Sequence, residues 1–223
     1  MKKNGMSHSG LGGSTHLQQV YIVNRDTVAN SVPRRMLADV EIQSREFLTP
    51  SDLLQALPLP SPACFLIDFI LPQVDGLQLM QMLRRADAHQ PCIFTSIRID
   101  PELVISAMNR GAFGFVKKPF QQMEVLEVVQ RALNRDHSVH KLMTQAKTYR
   151  DRRDTLSSRE RHILEFLERG LSASEVGNHL RISHRTVENH RAQILRKLDL
   201  ASSTQLIRQV TLLDAFRVSG LLD

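Results

Sequence analysis

The sequence predicts an α/β domain with a five-stranded parallel sheet, followed by a small all-α domain of four helices. Three observations carry this. Short apolar runs rich in β-branched residues, at 20–23, 63–67, 92–94 and 113–116, alternate with helical stretches. That alternation indicates a parallel sheet with helices on both faces. From Leu156 onward the apolar period is helical throughout. Between these parts, from Gln121 to Ser158, neither Gly nor Pro occurs, so one long helix is expected to join them.

Each element follows in order. Residues 1–18 hold four glycines and no apolar periodicity, and read as a disordered leader. The first strand is 20–23. Pro33 fixes φ and lacks an N–H, so the first helix is expected to begin late, over 33–38, with Ser31 or Val32 as its cap. A weaker strand, 40–44, comes next. Helix 51–57, strand 63–67, helix 76–85, strand 92–94, helix 101–110 and strand 113–116 complete five units. In the helix from Gln121, Met123, Leu126, Val129 and Leu133 make an apolar stripe at spacings of three and four. Beyond Asn134 the stripe decays into His137, His140, Lys141 and Lys147, which reads as a solvated connector. Ser157 with Glu160, and Ser172 with Glu175, form two capping boxes, a hydroxyl for free N–H groups and an acid three residues on. The first opens a helix that buries Ile163, Leu164 and Leu167 and stops at Gly170. The second opens a short helix to Leu180. Ser183 caps a third, to about Leu198, and a fourth covers about 203–216.

Composition narrows the class. The chain has 223 residues, 42% apolar and 23% charged, enough for two small domains and incompatible with wholesale disorder. The apolar runs fall far short of the roughly 20 residues that cross a bilayer, so no membrane partner is expected. Lys2 and Lys3 are followed by Gly, Ser and His instead of an apolar stretch, so no secretory signal is read and a cytoplasmic location is expected. Cys64 and Cys92 fall in strand-like apolar segments and read as small buried hydrophobes. The net charge is +6, and it lies outside the near-neutral block 20–133. Such asymmetry fits a C-terminal part that meets a polyanion.

The helices at 172–180 and 183–198 are joined by a short turn, which is helix-turn-helix geometry. On the second, Val187, Ile194 and Leu198 form the buried stripe, and His190 is expected to pack beside them. The opposite face carries Arg185, Glu188, Asn189, Ala192, Gln193 and Arg196. Glu can accept from cytosine N4, Asn can pair with adenine and Ala can touch a thymine methyl. Glu188, Asn189 and Ala192 are therefore the base-contacting candidates. Arg185, Thr186, Arg191, Arg196 and Lys197 are the phosphate-contacting candidates. Residues 156–200 resemble the LuxR-type DNA-binding domain of NarL/FixJ-family regulators. Glu160, the run Gly170-Leu171-Ser172, Glu175, Ile182-Ser183, Thr186-Val187, His190 and the run Leu195-Arg196-Lys197-Leu198 carry the match. Gly177 stands where the family usually has Ala, and Arg181 where it usually has Gly. A left-handed Arg costs a little energy and adds positive charge near the DNA.

A parallel sheet presents functional groups at the C-terminal ends of its strands. Asp68, Thr95 and Lys118 each follow an apolar run, so an acid, a hydroxyl and an ammonium converge. That set can hold a phosphoryl group on a carboxylate. Asp68, Pro72, Gly76, Thr95 and the run Lys118-Pro119-Phe120 resemble a response-regulator receiver domain, flavodoxin-like (CheY-like) in fold, over about 19–134. The resemblance implies Asp68 as phospho-acceptor, a pocket of Asn24, Arg25, Asp26, Thr95 and Lys118, and Thr95 and Phe115 as switch residues. It also implies Mg²⁺ held by two acids after the first strand. Here the gapless match reads Val23-Asn24-Arg25-Asp26, with Arg25 at the position of the main metal-binding acid. A guanidinium is always charged and cannot bind a cation, so Mg²⁺ binding is expected to be impaired. Ile70 adds an apolar group where a phosphate would be faced. Three readings stay open. Asp68 is phosphorylated inefficiently, or Arg25 is a fixed internal cation paired with Asp68, or Arg25 faces solvent and the domain is a dimerisation scaffold.

The expected organisation is a leader at 1–18, a receiver at 19–134, a helical linker at 135–154 and a LuxR-type domain at 155–223. The function implied is a DNA-binding transcription regulator, in a two-component or phosphorylation-independent system, whose receiver controls dimerisation and affinity. Double-stranded DNA and a second copy are the expected partners, and the resemblance admits a sensor histidine kinase and RNA polymerase. No Gly-rich phosphate loop and no nucleophile–base pair argue for an enzyme. The alternative is an adaptor that docks RNA polymerase or another protein without reading DNA.

Overall fold

The computed structural model describes residues 18–219 apart from Asp26 and Ile99. Most of the leader expected at 1–18 therefore lies outside the described residues. Five parallel strands, β1 (Gln19–Val23), β2 (Gln43–Phe47), β3 (Ala63–Asp68), β4 (Cys92–Ser96) and β5 (Gly114–Lys117), form one sheet in the order β2-β1-β3-β4-β5. Strand periodicity divides the apolar residues between its faces. Tyr21, Val23, Phe65, Ile67 and Phe94 pack with Leu53 of α2 (Pro50–Gln55), Leu79, Met80 and Leu83 of α3 (Gly76–Arg85) and Ala107 of α4 (Pro101–Asn109). Val20, Ile22, Leu66, Ile93 and Val116 pack on the other face with Leu37 of α1 (Thr27–Ala38) and with Val125, Val129 and Leu133 of α5 (Gln122–Asp154). Cys64 and Cys92 belong to opposite faces and are free and buried, as the sequence implies.

Two elements differ from expectation. α1 begins at Thr27 and runs through Pro33, so neither Ser31 nor Val32 caps it. An interior proline removes one hydrogen bond and costs about 3 kcal/mol. Pro33 is buried on the same helical face as Leu37, four residues on, and this packing offsets the loss. The second strand starts at Gln43 instead of residue 40. Glu41 takes a left-handed conformation, φ 59°, and Val40 is exposed, so the chain turns where an extended run was expected.

Two compact units divide between His137 and Ser138, and α5 runs from one into the other. The distal part of α5 is not a solvated connector. Ala146 and Tyr149 are buried in the second core, with Val139 and Met143 beside them. That core also takes Ile163, Leu164 and Leu167 of α6 (Ser158–Glu168), Val176 of α7 (Ala173–Leu180), Val187, Ile194 and Leu198 of α8 (His184–Leu198), and Leu206, Leu213 and Phe216 of α9 (Ser203–Val218). Both capping boxes form as the sequence predicts. Among the described residues no helix is long and apolar enough to cross a membrane.

Candidate functional site

Asp68 closes β3, and its register partner on β4 is Thr95. Lys118 follows β5 and turns back across the strand ends. Its Nζ donates to Asp68 Oδ2 at 2.8 Å, with both side chains largely buried. Thr95 is 3% exposed and Asn24 5% exposed, and both line a cleft with Asp68, Pro33 and Phe120. The cleft encloses only about 10 Å³, on the order of one water. Arg25 is exposed and forms no ion pair with Asp68 among the described residues. The reading in which Arg25 is the internal cation is therefore corrected, since Lys118 holds that place. A guanidinium at the mouth of the strand ends stays hydrated, while the stem of Lys118 is confined beside the carboxylate. Asp26 lies outside the described residues.

A hard cation such as Mg²⁺ favours several oxygen ligands, carboxylates first. Among the described residues this cleft offers one carboxylate, already held by an ammonium, with a neutral amide and a hydroxyl. That donor set does not fit Mg²⁺.

Phe115 is half-buried, and its ring packs 5.4 Å from Phe94 and 6.3 Å from Phe69, centroid to centroid. Phe94 in turn presses on Gly76, where an added Cβ would sit 2.8 Å from the ring, so the glycine is required by close approach. Ile70 is 71% exposed, so it does not close over the carboxylate.

The second site lies on α7 and α8. Arg181 ends α7 in the left-handed conformation, φ 54°, as the turn requires. A Cβ at Gly177 would meet the Ile182 carbonyl at 2.8 Å. The tight approach of Ile182 thus needs the glycine. Ser183 caps α8 by accepting from the Thr186 N–H at 3.1 Å, and the two hydroxyls lie 2.8 Å apart. Val187, Ile194 and Leu198 are buried, and His190 is half-buried with Nδ1 enclosed, consistent with packing. Arg185, Asn189, Ala192, Gln193 and Arg196 are exposed together.

Three side chains with sequence-assigned roles have partners inside the unit. Lys197 Nζ lies 2.7 Å from Glu160 Oε1. Glu188 Oε2 lies 3.1 Å from Arg191 Nη2, and its other oxygen 3.9 Å from His184 Nε2. Sequence reasoning missed the Lys197 contact because the partners are far apart in the chain. It also missed Arg152 of α5, which donates to the Leu198 carbonyl at 3.0 Å and pairs with Asp199 at 2.9 Å. That places a cation on the C-terminus of α8, where the helix dipole favours it. The decaying stripe of α5 concealed this, because the contact uses a charged residue.

Comparison with known proteins finds a matching family for each of the two units. Residues 20–130 match the family described as response regulator receiver domain. Residues 154–210 match the family described as bacterial regulatory proteins, luxR family. The transcriptional regulatory protein TdiR of Thauera aromatica is 31% identical over 191 residues, covering 86% of this chain and 84% of the relative. The transcriptional regulatory protein FixJ of Bradyrhizobium diazoefficiens is 27% identical, covering 85% of this chain and 92% of the relative. The response regulator StyR superposes with a TM-score of 0.73 at 24% identity, covering 87% of this chain and 98% of that one. At that identity the likeness speaks for the fold.

Proposed function

The chain belongs to the NarL/FixJ-type response regulators, and from that premise we propose how this member works. It is a DNA-binding transcription regulator of the two-component class, not an enzyme. In the proposal α8 enters the major groove. Asn189, Ala192 and Glu188 meet base edges, while Arg185, Thr186 and Arg196 approach phosphates. Lys197 is reassigned from phosphate contact to holding Glu160. The observation that carries this is the division of α8 into a buried stripe and an exposed polar face.

One short helix covers few base pairs, so the active form is a homodimer on two half-sites. The N-terminal unit controls that pairing. Asp68 is its phospho-acceptor position, and Thr95 and Phe115 transmit its state. With Lys118 on Asp68 and a donor set that does not fit Mg²⁺, phosphorylation is inefficient and the unphosphorylated state, with Lys118 paired to Asp68, predominates. The protein acts in the cytoplasm, with a sensor kinase and RNA polymerase as further partners.

The test is binding of the full chain to a randomised duplex library over a range of salt. Enrichment of one motif, with affinity falling linearly in log salt, is the expected result. Salt-independent binding with no enriched motif would indicate a protein-docking adaptor instead. Mass spectrometry after incubation with Mg²⁺ and a small phosphodonor tests the Asp68 part, and a stoichiometric adduct there overturns it.

A further inference from the structure

Of the three base-reading candidates on α8, Glu188 is held by its own helix. Arg191, three residues on, places Nη2 3.1 Å from Oε2. His184, four residues before, places Nε2 3.9 Å from Oε1. The carboxylate and the guanidinium are both about one-third exposed, at 34% and 40%. The pair therefore lies on the flank of the exposed face, open on one side.

A lone carboxylate is a poor group to bring to DNA, because the phosphates repel it. Yet it is the side chain that best accepts from the cytosine N4 amine. An adjacent guanidinium resolves the conflict. It cancels the local charge and fixes the rotamer while occupying one oxygen. An ionised carboxylate has about four lone-pair sites, so Oε1 keeps acceptors free. At 3.9 Å His184 makes no hydrogen bond to that oxygen.

From this geometry we infer that Arg191 is a positioning residue that presents Glu188 to a cytosine N4 amine, and not a phosphate anchor. The inference rests on the DNA-reading function proposed above. It replaces the assignment of Arg191 to phosphate that its charge alone suggests. Glu188 and Arg191 form one reading element, and substitutions at the two positions alter preference at the same base pair.

The experiment selects full-length wild type, Glu188→Gln and Arg191→Gln on a randomised duplex library, then titrates the enriched duplex and its single-base variants over a range of salt. Glu188→Gln is expected to change the preferred base at one position, which marks the contact. Arg191→Gln is expected to reduce cytosine preference there by about five- to tenfold, with the salt slope unchanged. Arg191→Lys keeps the charge without the planar fork. It serves if Arg191→Gln does not fold, with a smaller loss at the same position. Uniform weakening on all duplexes, with the salt slope lowered by about one unit, overturns the inference and makes Arg191 a phosphate contact. Unchanged cytosine preference in Arg191→Gln also overturns it, as does a Glu188→Gln motif identical to wild type. A wild-type selection without any enriched motif removes the DNA-reading premise itself, which the other outcomes leave standing.

Discussion

Lys197 Nζ lies 2.7 Å from Glu160 Oε1, so a cation near the end of α8 is fastened to the first turn of α6. Glu160 is 5% exposed, and its Oε2 also accepts from the Ser157 N–H at 2.9 Å and the Ser157 hydroxyl at 2.8 Å. One carboxylate thus completes a capping box and locks α6 to α8 within the C-terminal unit. The Lys197 hydrogen bond is the largest of the influences that lower its pKa from 4.5 to about 2. A group depressed on folding stabilises fully above its unfolded pKa, and its contribution fades as pH falls towards the folded one. The C-terminal unit should therefore lose stability between pH 4.5 and about 2. Glu160→Gln should cost roughly 1–3 kcal/mol at neutral pH and lack that acid-dependent segment. Circular dichroism melts across this range decide, and equal melting of variant and wild type at pH 7 would count against the lock.

Around Asp68 the expected costs separate two cations. Lys118→Met removes the partner of a largely buried carboxylate and should be strongly destabilising in thermal melts. Arg25→Ala removes an exposed residue that does not pair with Asp68 and should stay within about 0.5 kcal/mol.

Mg²⁺ gives an independent reading of the same cleft. Millimolar Mg²⁺ should leave the melting of wild type unchanged. Arg25→Asp adds an oxygen donor near Asp68 and should introduce a metal-dependent rise. If wild type gains as much as Arg25→Asp, the native cleft holds the cation after all.

The turn between α7 and α8 gives a prediction that family habit would get backwards. Alanine is a better helix former than glycine by about 1 kcal/mol. At position 177, however, the new Cβ would sit 2.8 Å from a backbone oxygen of Ile182. Backbone cannot step aside as a flexible side chain can, so Gly177→Ala should destabilise by about 1–3 kcal/mol instead of stabilising. Thermal unfolding monitored over the C-terminal unit measures the sign directly.

How much of this was legible in the sequence varied with the kind of interaction. Strands with apolar runs and helices with capping boxes were read nearly to the residue, because their signals are local. β2 was misplaced because its residues, Gln43–Phe47, are mostly polar and its edge position demands little apolar content. α1 was cut short because the penalty of Pro33 is local, while the packing that outweighs it comes from the sheet. The convergence of Asp68, Thr95 and Lys118 followed from topology alone. Which cation touches Asp68 did not, since Arg25 and Lys118 both follow strand ends and only side-chain placement separates them. Likewise the stripe of α5 continues through Val139, Met143, Ala146 and Tyr149 at spacings of four and three, and the charged and polar residues between them concealed it.

The exposed face of α8 allows position and reading to be told apart. Asn189 lies in the first half of the helix and Arg196 in its last turn, both exposed. An amide can form two hydrogen bonds with adenine, and such a pair is worth about 1–3 kcal/mol of discrimination. A guanidinium on phosphate contributes to every sequence alike and to the number of counterions released. Asn189→Ala should therefore weaken binding to the enriched motif while leaving random duplex nearly unaffected. Arg196→Ala should weaken both equally and lower the salt slope by about one unit. At the start of α9 the Gln205 N–H donates to the Ser202 hydroxyl and the Gln205 amide oxygen accepts from the Ala201 N–H, so neither side chain is expected to compensate. Fluorescence anisotropy on motif and random duplexes at several salt concentrations separates the two effects. Equal losses on both duplexes for Asn189→Ala would remove that residue from base readout.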